Sequence, residues 1–459
     1  MAPNEFAALT DRVQGPVFLP GDADYDTERS GFLAFDQRRP QVVVAAVDAE
    51  DARAAVEFAA ARDLPVAVLS TGHGIASEVE GGLLITTGRM SEVRIDAERR
   101  TAWFAAGVRW GQVVEAAAEF GLAPLSGSAP HVGAVSYTLG GGLGHLARRY
   151  GYAADHVRAI EIVTADGRLR RVTADSDAEL FWALRGAGGN FGVVTGMEVD
   201  LMPVASLYGG GLYFDAHLIG DVLRAWQQWT RDLPDEMTSS VALVPFPDVP
   251  VLPEPLRGRH VVHVRIAYAG DPAEGERLTE PLRAVGPRLI DSVREMPYRE
   301  VGSINNDPVQ PMGYVTDNAM LHDFDDAAIK TLLDLVGPDA PQRCVVEVRH
   351  LGGAMSRPAG NCVGHRDAPY VFGVNSKVDE ATVDAARELQ SRVMREMSPW
   401  STGGRNLNFL AGGSANPEGV RAAYDPADYD RLAAMKAIHD PKNLFRLNHN
   451  IPPARRSGR

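Results

Sequence analysis

The sequence predicts an α+β protein of two or three packed units, and three observations carry that prediction. The chain opens with a strand, helix, strand order. Short strands joined by tight turns follow to about residue 205, and beyond it period-two strands alternate with amphipathic helices. Its 459 residues, 45% of them hydrophobic and 23% charged, suffice for substantial cores of ordinary soluble composition.

The run Gln41 to Val47 is β-branched and reads as a strand. Asp48 and Asp51 then stand at N-cap and N3 spacing before a helix over Ala52 to Arg62. Pro65 restarts an apolar strand, Val66 to Leu69, which runs directly into Ser70-Thr71-Gly72-His73-Gly74. Val93 to Asp96 and Thr101 to Gly107 form a hairpin, as do Val157 to Thr164 and Arg168 to Thr173 around Ala165-Asp166-Gly167, where glycine accepts the positive φ a tight turn needs. Helices are expected at Gly111 to Phe120 and Ala178 to Arg185, with Phe181 and Trp182 in the core. Farther on, His260 to Ile266 alternates as a strand, and Asp379 to Met397 carries Val383, Ala386, Leu389, Val393 and Met397 on one helical stripe. An antiparallel sheet with helices on one face would cover a site built by the first half. A last helix, Pro426 to Ile438, precedes the tail Phe445 to Pro453.

A formal net charge of −14 and the absence of a basic run with interleaved aromatics argue against nucleic acid or an anionic membrane as partner. No apolar stretch approaches the roughly 18 residues that span a bilayer, and the N-terminus has no signal-peptide pattern, so a cytoplasmic protein is expected. Cys344 and Cys362 could pair, but nothing resembles a disulfide framework or a C-x-x-C metal site.

Glycine is the main chemical signal. Three Gly-rich turns, Ser70 to Gly74, Gly140 to Gly144 and Gly186 to Gly192, could let backbone N–H groups converge on a phosphate, or simply punctuate strands. They fit neither the dinucleotide fingerprint nor the P-loop. His73 lies inside the first turn without a second metal-ligating residue at suitable spacing, so no metal site is expected.

These motifs resemble the berberine-bridge-enzyme-like oxidases of the vanillyl-alcohol-oxidase superfamily, with a PCMH-type FAD-binding domain. Leu69 to Gly74 is similar to the family's Arg-Ser-Gly-Gly-His-Ser turn, whose histidine bonds to the 8α-methyl of FAD. Ser128 to Gly133 with Tyr137 to Gly142 resembles the second flavin loop, and Leu180 to Gly186 with Asn190 to Thr195 the third. Asp440 to Pro453 resembles the C-terminal flavin-contact segment. The resemblance implies an FAD-binding domain of two α+β subdomains over 1–205 (core about 35–205), a substrate domain with a helix-flanked antiparallel sheet over 206–400, and a segment 401–459 returning to the FAD domain. It implies FAD contacts from Ser70, Thr71, Gly72, His73, Gly74 and Ile75 in the first turn. The second loop would contribute Ser128, Ala129, Val132, Gly133, Tyr137, Gly140 and Gly142. Gly192, Val194, Asn408, Asn448 and Asn450 complete the set.

Two departures from the family pattern sharpen the expectation. Many relatives attach FAD a second time through a cysteine in a Gly-Ser-Cys segment, and here Ala129 occupies that position. A single covalent link through His73 is therefore expected. The family's Tyr-x-Asn-Tyr segment reads Asn406-Leu407-Asn408-Phe409, and the alignment sets Phe372 and Val374 where relatives carry polar pocket residues, so the pocket floor is expected to be apolar and without an obvious base. A neutral amine can lose hydride without simultaneous deprotonation, whereas an alcohol gains roughly 10²–10⁴-fold from a base. Tyr137 is assigned a flavin-tuning role and Asn406 a place in the catalytic site. Glu347, Arg349 and His350 could supply a base, but their alternation with Val346 and Val348 favours a solvated face. His322 and His365 read as structural.

The implied activity is oxidation of a small amine or secondary alcohol, a natural-product intermediate, by hydride transfer to flavin N5 with O2 as electron acceptor. A monooxygenase, an oxidative cyclase, a dehydrogenase with another acceptor and a non-catalytic flavin carrier are the competing readings.

Overall fold

The computed structural model describes residues 6–35, 38–74 and 80–455. Its first sheet joins β1 (Val17–Phe18), β2 (Val42–Ala45), β3 (Val66–Leu69) and β4 (Leu83–Thr86) in the order β1-β2-β4-β3. β2, β4 and β3 run parallel, and Val42 to Val44 and Leu83 to Ile85 are wholly buried, as a parallel sheet covered on both faces requires. The helix Ala49–Ala60 makes the crossover from β2. Asp48 caps it, accepting the Asp51 N–H at 2.9 Å, while the Asp51 carboxylate takes the N–H groups of Gln14, Gly15 and Val47. The helix thus begins at the cap itself, one turn before the expected Ala52.

The second sheet is antiparallel, in the order β5 (Val93–Asp96), β6 (Thr101–Ala105), β9 (Gly192–Asp200), β7 (Val157–Thr164), β8 (Leu169–Val172). Both expected hairpins form, and Gly167 takes φ +73° in the second. The helices Trp110–Ala118 and Ala178–Leu184 pack on it, with Phe181 and Trp182 buried. One core joins the two sheets: Val42, Ile85, Phe104, Ile160, Phe191 and Val193 belong to it, and so do Leu432, Phe445 and Ile451 from the C-terminal segment.

The third sheet is antiparallel. It contains β10 (Ser206–Asp215), β11 (Met237–Pro245), β12 (His260–Tyr268), β13 (Ile290–Asp291), β14 (Arg294–Pro297), β15 (Tyr314–Leu321), β16 (Val345–His350) and β17 (Tyr370–Lys377). The order is β13-β10-β12-β11-β16-β17-β15, with β14 also pairing β10. Helices Ile219–Trp229, Asp326–Val336 and Val383–Glu396 pack on one face, where Val346, Val348, Phe372 and Val374 meet Leu223, Leu332, Leu389 and Val393. The opposite face turns toward the flavin-motif half.

Alternation along β17 corrects the sequence alignment. Phe372 and Val374 are fully buried on the helix side. The other face carries Val371, Gly373, Asn375 and Lys377, because neighbouring strand residues point to opposite faces. A one-residue shift exchanges the two sets, and the expected apolar floor belongs instead to the core behind the sheet. Cys344 and Cys362 are both free and buried, so the pairing considered from sequence does not form.

The tail returns by a buried clamp. Lys436 Nζ and Asp440 Oδ2 pair at 2.8 Å with both side chains fully buried. Asp440 accepts the N–H groups of Leu444 and Phe445, and the amide of Asn190 joins the third Gly-rich turn to the tail through His449 O and the Ile451 N–H.

Candidate active site

A cavity of about 560 Å³ lies between the two halves, and all three Gly-rich turns reach it. β3 delivers the first. Gly72 has φ +71°, and a Cβ there would lie 2.5 Å from Gly31 Cα, so only glycine permits this crossing of chains, which the Phe32 N–H to Thr71 O and Leu33 N–H to Gly72 O bonds hold together. His73 is thereby turned into the cavity, stacked on Phe32 at 4.2 Å and 14° between planes, with His131 at 4.8 Å. Thr71 Oγ1 accepts the Gly133 N–H at 3.1 Å and lies 2.9 Å from His73 Nδ1, while Nε2 is buried without a partner. Burial first, then the charges of His131 and Arg109, pull the imidazole pKa down to about 3, so it is neutral. With the proton on Nδ1 toward Thr71, the Nε2 lone pair is the one left free.

The second loop enters on the short helix Ala134–Leu139. Ser128, Ala129, Val132, Tyr137 and Gly140 line the cavity. The Tyr137 ring meets Trp110 edge-on at 5.6 Å and its buried hydroxyl has no partner; burial raises its pKa well above the usual tyrosine value, keeping it protonated. Asn408 fastens this loop, accepting the Gly142 N–H at 3.0 Å and donating to Tyr137 O at 2.9 Å. Gly192, Val194 and Asn448 also line the cavity, and Asn448 Nδ2 donates to Gly189 O at 2.9 Å.

Several expected contacts sit one layer back. Thr71, Gly133 and Gly142 support lining residues without lining the cavity themselves. Asn406 is also behind the wall: its side-chain oxygen accepts the Asn408 N–H, and its backbone exchanges bonds with Asn318. Asn450 stands outside the lining with a buried, unpartnered Oδ1. Ile75 lies outside the described residues. His322 and His365 serve backbone carbonyls of Pro399 and Ala422.

The sheet contributes what the sequence reading did not place here. Val345, Arg349, Asn375 and Lys377 line the cavity from β16 and β17. Glu347, expected on a solvated face, is enclosed: its Oε2 receives Arg349 Nε at 3.0 Å and Nη2 at 2.8 Å, and its Oε1 pairs with Arg265 and accepts Ser240 Oγ at 2.9 Å. Burial alone would raise the Glu347 pKa, but Arg349 and Arg265 hold it at about 2. Period two was correctly read for Glu347 and Arg349, whose face is covered by the flavin-motif half, not by water; His350, grouped with them from sequence, lies instead beside Tyr370 and Arg148. Asp307, also unforeseen, lines the cavity, accepts Ser128 Oγ at 2.6 Å, and its charge acts on Arg349.

Arg38 decides the fit to a cofactor. It lines the cavity, is 5% exposed, and its Nε and Nη1 are buried with no partner among the described residues. Burial lowers its pKa to about 10. A buried guanidinium without a counter-ion is costly unless a ligand supplies the anion, and the diphosphate is the anionic part of FAD. Backbone lies open elsewhere too: among the described residues a Cβ on Gly74 would meet nothing within 4 Å, and one on Gly189 only Asn448 Nδ2 at 3.7 Å. These residues fit FAD. Among the described residues no group of His, Cys, Asp or Glu could hold a metal ion, and no helix is long and apolar enough to cross a membrane.

Comparison with known proteins agrees. Residues 40–173 match the FAD binding domain family, and residues 415–452 the family described as berberine and berberine like. The (R)-6-hydroxynicotine oxidase of Paenarthrobacter nicotinovorans is 30% identical over 96% of this chain and 97% of its own. An FAD-linked oxidoreductase of Dictyostelium discoideum is 25% identical over 98% and 96%. The crystal structure of 6-hydroxy-D-nicotine oxidase from Arthrobacter nicotinovorans superposes with a TM-score of 0.84 at 28% identity, covering 96% of this chain and 98% of that one. A chitooligosaccharide oxidase, with a TM-score of 0.84 at 22% identity over 98% of this chain and all of its own, shares the fold. The expected α+β architecture is the one observed, and the chain is an FAD-dependent oxidoreductase of the berberine-bridge-enzyme-like family.

Proposed function

We propose that this enzyme is an oxidase that holds FAD through one covalent bond, to His73, and oxidises a small amine or secondary alcohol with O2 as electron acceptor. The observation that carries the reading is the His73 imidazole: neutral, stacked on Phe32, its Nδ1 engaged by Thr71 and its Nε2 free at the cavity wall. Nε2 is the atom that would hold the flavin. Ala129 lines the cavity with a methyl group and cannot form a thioether.

Bound there, FAD would supply the acceptor for a substrate hydride, with O2 as the final electron acceptor and H2O2 as its product. The chain positions and dehydrates the reactants. Arg38 meets the diphosphate charge, and the Gly-rich turns and Asn448 hold the cofactor wall. Tyr137, protonated, offers a hydrogen-bond donor beside the ring site. Asp307 is the carboxylate in the lining that can accept a proton from an alcohol or an ammonium, fixed by Ser128. Near-attack placement in such a site is worth roughly 7–11 kcal/mol of barrier. Work on a hydroxynicotine, the substrate named for the bacterial relative, supports beginning with amines.

Acid precipitation tests the reading. The yellow colour should stay with wild-type protein and leave the His73→Ala variant, and digestion should yield one flavin peptide, containing His73. Colour released from wild type, or a flavin peptide from the segment around Ala129, would refute the single histidyl linkage. Peroxide formed in step with substrate consumption separates the oxidase from a dehydrogenase, and product mass separates it from a monooxygenase.

A further inference from the structure

We infer that Arg349 anchors a carboxylate on the substrate, so that the amine or alcohol oxidised here is an organic acid. The inference rests on the cavity being the flavin and substrate site.

Two guanidinium groups, Arg265 and Arg349, share the single carboxylate of Glu347. Both Glu347 oxygens are already used, Oε1 by Arg265 and Ser240 and Oε2 by Arg349. Within the cluster two positive charges face one negative, and the further carboxylate that acts on Arg349, Asp307, is engaged by Ser128 Oγ. Arg265, on the same sheet face, lines a small neighbouring cavity with Ser240 and Arg349. The outer end of the cluster is the wall of the main cavity, where Arg349 spends Nε and Nη2 on Glu347 and, among the described residues, Nη1 meets no protein acceptor. Phe409 lies against the guanidinium, its ring centre 4.9 Å from Cζ, so the plane of the group is occupied and its Nη1 edge is what remains for a ligand.

The rest of the wall has the same sign. Among the described residues the charged lining side chains are Arg38, Arg349 and Lys377 against one carboxylate, Asp307. Arg38 answers the cofactor diphosphate. Asp307 is held by Ser128 on the wall that carries Ala129 and His131. Lys377 and Asn375 stand on the same face of β17, and Val345, opposite Asn375, leads along β16 to Arg349. Lys377 is exposed. An anion thus meets Lys377 at the rim, passes Asn375, and ends at Arg349, about 20 Å in for six residues of strand. A planar fork with a free edge suits a carboxylate, and held there the carboxylate would orient the reacting carbon.

The test is a pair of probes differing only in charge, phenylacetate and 2-phenylacetamide, titrated into the holoenzyme while the visible flavin band is followed. Phenylacetate should bind about ten- to a hundredfold more tightly, the yield of one charge-assisted hydrogen bond. Arg349→Gln should abolish the preference and leave the ligand-free spectrum unchanged; Glu347 keeps Arg265 in that variant. Arg349→Lys should keep part of the preference. Lys377→Gln, at the rim, should weaken phenylacetate about two- to threefold and leave the amide alone, and it does not depend on an Arg349 variant folding. Equal binding of the two probes to wild type at tens of millimolar, or a preference that survives in Arg349→Gln, overturns the inference. So does an Arg349→Gln variant whose ligand-free spectrum shifts and whose affinity for both probes falls alike, since Arg349 would then serve the cofactor. A purified protein with no flavin band would refute the underlying reading instead, before any probe is added.

Discussion

Replacing Arg38 by Met should move cofactor affinity and apoprotein stability in opposite directions. Arg38 is buried, lines the cavity, and among the described residues has no partner for Nε or Nη1. Two charge-assisted hydrogen bonds to a phosphate are worth about 3–6 kcal/mol together, which is about 10²–10⁴-fold in Kd. The apoprotein, by contrast, bears the cost of desolvating a lone guanidinium, several kcal/mol even after relaxation. An unbranched Met fills the same channel without that cost. The measurement needs reversible binding, so both variants are made in a His73→Ala background and titrated with FAD and with riboflavin, which lacks the diphosphate. Arg38→Met should weaken FAD by the factor above, leave riboflavin unchanged, and melt as apoprotein at or above the parent. Unchanged FAD affinity, or equal losses for FAD and riboflavin, would refute the assignment of Arg38 to the diphosphate.

Three more outcomes are expected. In the apoprotein, burial lowers the pKa of His73 and His350 to about 3 and of His145 to about 4, all below the unfolded histidine value. The unfolded chain therefore binds more protons below about pH 6.5, and stability, intact above it, should fall by up to about 1.4 kcal/mol per pH unit for each such histidine. His145→Gln should flatten that slope by one proton, and a melting temperature constant from about pH 7 to 5 would contradict the burial of these rings. Lys436→Met should cost about 3–5 kcal/mol in a denaturant melt, because it strands the Asp440 charge with no ammonium beside it. Gly373→Ala should leave stability unchanged, since a Cβ there meets nothing within 4 Å; a large drop in melting temperature would show the space is not open.

What could be read in the sequence, and what could not, divides along a physical line. The turn holding His73 was legible because its causes are local: an apolar strand, then glycines whose φ and close contacts the chain itself dictates. The caps at Asp48 and the Asp166-Gly167 hairpin were legible for the same reason. β4 escaped notice because Leu83-Leu84-Ile85 is buried on both faces and shows no alternation. Arg38 escaped because it belongs to no turn or motif; its meaning comes from being buried without a partner.

The substrate wall was misread for a deeper reason. Along β17, Val371, Phe372 and Val374 are apolar on both faces, since one face packs on helices and the other on the flavin-motif half. Hydrophobicity therefore could not say which set faces the cavity, and a shift of one residue placed Phe372 and Val374 there instead of Asn375 and Lys377. Along β16 the alternation was unambiguous, and Glu347 and Arg349 were rightly set apart from Val346 and Val348. What failed was the inference that a charged face is a wet one. Both charges are inside because the other half of the chain, distant in sequence, closes over them, and they tolerate it because they pair with each other and with Arg265. Cofactor contacts in this fold rest on local backbone chemistry and so survive as motifs. Substrate contacts rest on the register and covering of a sheet face, which is why the charge at Arg349, and not a motif, is the better guide to what this enzyme oxidises.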